Sequence, residues 1–116
     1  MCAGYCAYGS ATELVLTYGH GVERFTLDPS IGEFIMTAEK MTIPVDGKTI
    51  YSINEGNYLT WDAPMQKAVD DFKQKKPSPY TARYVGSMVS DVHRTLMYGG
   101  IYMYPADAAK VRLSQL

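Results

Sequence analysis

Arginine and tyrosine crowd one stretch of this chain in a pattern suited to gripping an anion. Arg83 and Tyr84 sit in Tyr80-Thr81-Ala82-Arg83-Tyr84-Val85-Gly86-Ser87-Met88-Val89-Ser90-Asp91-Val92-His93-Arg94, and Tyr102 and Tyr104 follow in Gly99-Gly100-Ile101-Tyr102-Met103-Tyr104-Pro105. A guanidinium presents a planar fork of donors that stays charged at any working pH, and phenol hydroxyls add neutral donors, a combination matched to a group such as a sugar phosphate. Asn54, beside Gly56, offers a further amide donor, although asparagine next to glycine is also ordinary turn chemistry. The remaining polar candidates favour structural roles. His93 has no serine or cysteine partner at a meaningful spacing. Asp70 and Asp71 diverge by roughly 100° on a helix, which suits a solvated face better than a metal pinch. His20 reads as a solvated turn residue.

The elements that must position these groups follow from local pattern. Residues 3–8 and 12–18 read as strands, Gly19-His20-Gly21 as a turn into 22–27, and Asp28-Pro29-Ser30-Ile31-Gly32 as a turn into 33–37. With a fifth strand over 49–53, these form an antiparallel meander. A first helix is capped by Asp62, tolerates Pro64 in its opening turn, buries Met65, Val69 and Phe72, and stops before Pro77 and Pro79. A second is capped by Ser87, carries the apolar stripe Val89, Val92 and Leu96, and ends near Gly99. A short strand ending at Pro105 puts Tyr102 and Tyr104 on one face, because side chains two apart on a strand point the same way. The class is α+β, a mostly antiparallel sheet covered by helices.

Composition bounds the rest. At 116 residues the chain holds one domain at most, with no repeat, linker or internal boundary. A formal net charge of −1 supplies no field toward nucleic acid or an anionic membrane, and no run of about 18 apolar residues offers a span. Its 20% charged residues fall below the usual quarter, as suits a piece whose surface other segments or subunits cover. Cys2 and Cys6 lack the spacing of a zinc or redox pair and read as free thiols of a reducing, cytoplasmic compartment.

Three further segments, Gly4-Tyr5-Cys6-Ala7-Tyr8-Gly9-Ser10-Ala11-Thr12, Leu27-Asp28-Pro29-Ser30-Ile31-Gly32-Glu33-Phe34 and Tyr51-Ser52-Ile53-Asn54-Glu55-Gly56-Asn57-Tyr58, complete the pattern. Together with the Tyr80–Pro105 stretch they resemble the fructose-1,6-bisphosphatase family, in family order over about residues 3 to 105. The resemblance implies part of a layered α/β/α/β/α sugar-phosphatase fold, with residues 1–116 as its substrate-binding half and the metal-binding front half absent. It implies that Asn54, Tyr84 and Tyr104 hold a distal 6-phosphate, that Tyr102 and Met103 line the sugar, and that Arg83 reaches into a neighbouring subunit's site. Lys110, leading Lys110-Val111-Arg112-Leu113 after a shortened loop, matches a phosphate-pairing lysine. Two departures stand out: the tyrosine expected after Asn-Glu-Gly is Asn57, with Tyr58 one place later, and an expected acidic metal ligand is Leu116. By family the cofactor is Mg²⁺, the partner a sugar bisphosphate, the assembly a homotetramer and the compartment the cytoplasm, or the chloroplast with a transit peptide. Fructose bisphosphate is favoured over sedoheptulose bisphosphate by the Ala-Arg-Tyr-Val-Gly-Ser-Met run. The alternative for the chain alone is a non-enzymatic product that binds sugar phosphate or docks to full-length subunits.

Overall fold

The computed structural model describes residues 1–106, which form two sheets and two α-helices. Strands β1 (Ala3–Tyr8), β2 (Thr12–Thr17), β3 (Val22–Asp28) and β4 (Glu33–Met41) make an antiparallel meander in the order β1-β2-β3-β4. Its turns use the expected chemistry. Asp28 Oδ1 accepts from the Ser30 amide at 2.9 Å and hydroxyl at 2.6 Å, and the Gly32 amide closes on Asp28 O at 2.9 Å. Those Ser30 hydrogen bonds hold the Asp28 carboxyl below its ordinary value. Strand β4 runs four residues past its expected end at 37, and its pairing with β3 is interrupted by register shifts around Arg24.

The fifth strand departs from expectation. Strand β5 (Ile50–Ser52) does not extend the meander; it is the centre of a second sheet, between β6 (Thr81–Ala82) and β7 (Ile101–Tyr102), in the order β6-β5-β7. Both pairings are parallel, Tyr51 lying opposite Ala82 on one side and Ile101 on the other. Parallel neighbours require long crossovers, and the two helices supply them. Helix α1 (Ala63–Gln74) begins at Asp62, whose carboxylate accepts from the Met65 amide at 3.0 Å, and carries Pro64 in its first turn. It buries Val69 completely against Tyr51, Ile53 and Trp61, with Met65 and Phe72 alongside. Phe72 stacks on Tyr51 at 5.8 Å between ring centroids.

Helix α2 (Met88–Tyr98) follows Ser87, which occupies the cap position without its hydroxyl capping. Val92 and Leu96 of its apolar stripe face a cavity of about 340 Å³ between α2 and the meander, lined also by Tyr5, Val15, Leu16 and Tyr102. The most buried residue of α2 is not apolar: it is Asp91, with no exposed surface. Gly99 and Gly100 close the helix at φ 80° and 104°. A Cβ at Gly100 would stand 2.6 Å from Ile50 O, so only glycine lets the chain turn back close beside β5.

Candidate functional site

The parallel sheet gathers the candidate residues by one simple rule. Asn54 lies two residues beyond the last residue of β5, Tyr84 two beyond β6 and Tyr104 two beyond β7. Because the three strands run in the same direction, all three loops leave the same edge, the carboxyl edge at which open α/β sheets bind ligands. Asn54, Met103 and Tyr104 line one cleft with Ile53, Asn57, Trp61 and Pro105. The sequence assigns Trp61 no role and singles out Asn57 only as a departure from an expected tyrosine. Their signal is the unanticipated 3₁₀ turn over Glu55–Thr60, which packs Trp61 into the core and carries Asn57 round to the cleft.

Asn54 opens that turn, and its Oδ1 accepts from the Gly56 amide at 3.1 Å. The acceptor end of the amide is therefore committed to backbone, which leaves Nδ2 as a donor. Tyr104 is largely exposed, so its hydroxyl is accessible. The Tyr102 phenol is raised above its ordinary value by burial, with Tyr84, Asp91 and Tyr104 near enough to push the same way. Strand β7 ends at Tyr102, so the expected alternation lapses beyond it. Tyr102 lines the apolar cavity under α2, whereas Met103 and Tyr104 line the Asn54 cleft. This corrects the placement of Tyr102 and Tyr104 on one face of a strand.

Arg83 is not brought into the cleft. Its amide donates to Tyr51 O at 3.0 Å, and its side chain lines a separate depression with Lys48, Thr49, Thr81, Arg94 and Tyr98. Lys110 lies outside the described residues. Tyr58 does not substitute for the tyrosine missing at Asn57, because its hydroxyl donates to Asp70 Oδ2 at 2.7 Å and its ring packs on Trp61.

The carboxylates near the cleft are engaged. Burial alone would raise Glu55, but Lys73 and the Tyr51 hydroxyl bind its carboxylate and hold it below the ordinary value. Burial and that same bond to Glu55 push the Tyr51 phenol to about 12. Asp91 pairs with Arg94 at 2.6 Å. Farther off, Asp71 pairs with Lys67, and His93 Nδ1 lies 2.9 Å from the Tyr5 hydroxyl, with burial lowering the His93 pKa. The arrangement offers neutral donors and aromatic surface for holding a ligand. Among the described residues near the cleft, the carboxylates are all engaged by other side chains.

Comparison with known proteins places this geometry. Residues 43–116 match the family described as fructose-1,6-bisphosphatase, C-terminal domain, and residues 1–39 match its N-terminal domain. The chain is 58% identical over 110 residues to the chloroplastic fructose-1,6-bisphosphatase of Brassica napus, covering 93% of this chain and 26% of that protein. It is 59% identical to the cytosolic fructose-1,6-bisphosphatase of Musa acuminata, covering 92% of this chain and 32% of that one. The crystal structure of Leishmania major fructose-1,6-bisphosphatase in holo form superposes with a TM-score of 0.90 at 57% identity, over 95% of this chain and 34% of that one. The chain thus spans about a quarter to a third of the length of these relatives.

Proposed function

Because the chain belongs to the fructose-1,6-bisphosphatase family, we propose that it is the sugar-phosphate-binding segment of an enzyme that hydrolyses fructose 1,6-bisphosphate to fructose 6-phosphate and phosphate. One observation carries this reading: Asn54 and the distant pair Met103-Tyr104 line a single cleft at the carboxyl edge of a parallel sheet. In the proposed complex Asn54 Nδ2 and the Tyr104 hydroxyl donate to the 6-phosphate, Tyr84 joins from the adjacent loop, and Met103 lies beside the sugar, with Tyr102 supporting it from the strand that ends there. Lys110, outside the described residues, pairs with phosphate by the same resemblance. Gripping the distal phosphate and the sugar fixes where the 1-phosphate lies, which converts binding energy into orientation.

Mg²⁺ is the cofactor the family resemblance implies, and the described residues do not fit it. Among the described residues no group of three or more His, Cys, Asp or Glu side chains could hold a metal ion, and the carboxylates nearest the cleft are bound by Lys73, Tyr51 and Arg94. No step of this segment's action is therefore routed through a metal. Arg83, turned away from its own cleft, serves the site of a neighbouring subunit in a homotetramer. The free Cys2 and Cys6 suit a reducing compartment, which we assign as the cytosol with the chloroplast as the alternative.

The test uses a full-length enzyme carrying this segment. Tyr104→Phe removes one hydroxyl and keeps the ring. A hydrogen bond to a charged group is worth about 1.5–3 kcal/mol, so KM rises about tenfold or more. Hybrid oligomers of Arg83→Ala and Tyr104→Phe subunits then regain some intact sites and exceed the sum of their parents. An unchanged KM removes Tyr104 from the phosphate site, and hybrids that never exceed their parents remove Arg83 from the interface.

A further inference from the structure

The deepest polar feature of the molecule lies behind the cleft. Asp91 and Ser52 have no exposed surface, and the Asp91 carboxylate binds Arg94 Nη2 at 2.6 Å. The same Nη2 donates to Arg83 O at 3.0 Å and to Ser52 Oγ at 2.5 Å, while both oxygens of Asp91 lie 3.2 Å from the Val85 amide. The two anchors on the loop after β6 are thus Arg83 O and Val85 N–H, the groups on either side of Tyr84. Tyr84 itself is exposed and makes no part of the anchor.

We propose that the buried Asp91–Arg94 pair is a positioning device that fixes Tyr84 for the sugar phosphate, a role that rests on the phosphate-binding reading above. Stability is a poor explanation for this pair. Removing two charges from water costs as much as their attraction returns unless every polar atom is satisfied, and Arg94 Nε is buried with no hydrogen-bond partner among the described residues. What the pair supplies is geometry. All three contacts converge on Nη2 at the far end of the planar guanidinium, about one bond beyond the reach of a lysine ammonium, so lysine cannot meet the loop, the Ser52 hydroxyl and the Asp91 carboxylate from the same backbone position. The Ser52 arm locks the device to β5, whose Ser52 O also accepts from the Met103 amide at 2.9 Å. The loops bearing Tyr84 and Tyr104 therefore share one fixed strand. Asp91, Arg94 and Tyr84 all stand outside the lining of the cleft of Asn54 and Tyr104, and the pair meets the site's loops through the backbone on either side of Tyr84.

A double-mutant cycle in the full-length enzyme tests this, with KM and kcat for fructose 1,6-bisphosphate as readouts. Arg94→Lys raises KM about tenfold with kcat within about twofold, and Tyr84→Phe alone raises KM about tenfold. In the Arg94→Lys background Tyr84→Phe adds less than about twofold, because its hydroxyl is already out of place, whereas Tyr104→Phe keeps its full factor. General damage to the fold would blunt both tyrosine substitutions, and that result overturns the proposal. A full Tyr84→Phe factor in both backgrounds overturns it while leaving the phosphate site intact. No effect of Tyr84→Phe or Tyr104→Phe in the unaltered enzyme overturns the phosphate reading and the positioning role with it. If Arg94→Lys does not fold, the isosteric Asp91→Asn carries the same cycle.

Discussion

At the scale of single residues, the site depends on which end of a side chain the backbone has already claimed. Asn54 shows this most clearly, since its oxygen caps the 3₁₀ turn and its nitrogen is left to donate. Asn54→Asp separates the two roles. The carboxylate still accepts from Gly56, so the midpoint of urea unfolding stays put, but in the proposed complex a negative charge replaces a donor to phosphate. KM should rise by more than about tenfold, since a donor is lost and a repulsion added. A KM within twofold of the parent would show that Nδ2 does not face the phosphate. Asn57 is the residue the sequence left unexplained: it lines the cleft, but its amide does not restore the phenol it replaces.

At the scale of elements, two short parallel pairings do more for the site than the larger meander. Strands β6 and β7 are two residues each, and their value lies in where the chain goes next. The turn from α2 into β7 is the vulnerable point, because the chain passes Ile50 too closely for any side chain. Gly100→Ala places a Cβ 2.6 Å from Ile50 O at φ 104°. A residue held in such backbone costs about 1–3 kcal/mol before the clash is counted. Urea denaturation of the full-length variant should show a loss of at least that size, with β7 and its Tyr104 loop displaced. Wild-type stability would mean that β7 does not lie where it is described. Strand β4 contrasts with this economy: it is a nine-residue edge strand with Phe34, Ile35 and Met36 all substantially exposed.

At the scale of the whole molecule, the chain is more open than a finished domain. Its radius of gyration is 17.2 Å, against about 13 Å for a compact domain of this length. Its surface of 8259 Å² compares with about 6,300 Å² for a folded monomer of this mass. Both fit a chain that spans about a quarter to a third of its relatives. The purified 116-residue chain should therefore release no phosphate from fructose 1,6-bisphosphate, even with excess Mg²⁺, since electrostatic stabilisation of the transferring group typically supplies several kcal/mol per element. Turnover that depends on Mg²⁺ and is lost in the Tyr104→Phe chain would place metal ligands within this segment and overturn that expectation.

Much of this was legible in the sequence because it is set locally. Asp62 caps its helix, Asp28 and Gly32 close their turn, Val69 and Phe72 face the core, and Gly99 ends α2 through chemistry contained within a few neighbouring residues. Other features were decided only by tertiary structure. Whether β5 joins the meander or founds a parallel sheet depends on partners about 30 and 50 residues away, and a three-residue strand has no preference of its own. That choice brings the loops of Asn54, Tyr84 and Tyr104 to one edge. The burial of Asp91 is likewise invisible to a pattern that expects carboxylates in water. Only the folded chain, with the Val85 amide and an Arg94 itself held by Ser52 closed around it, gives that charge enough partners to lie inside.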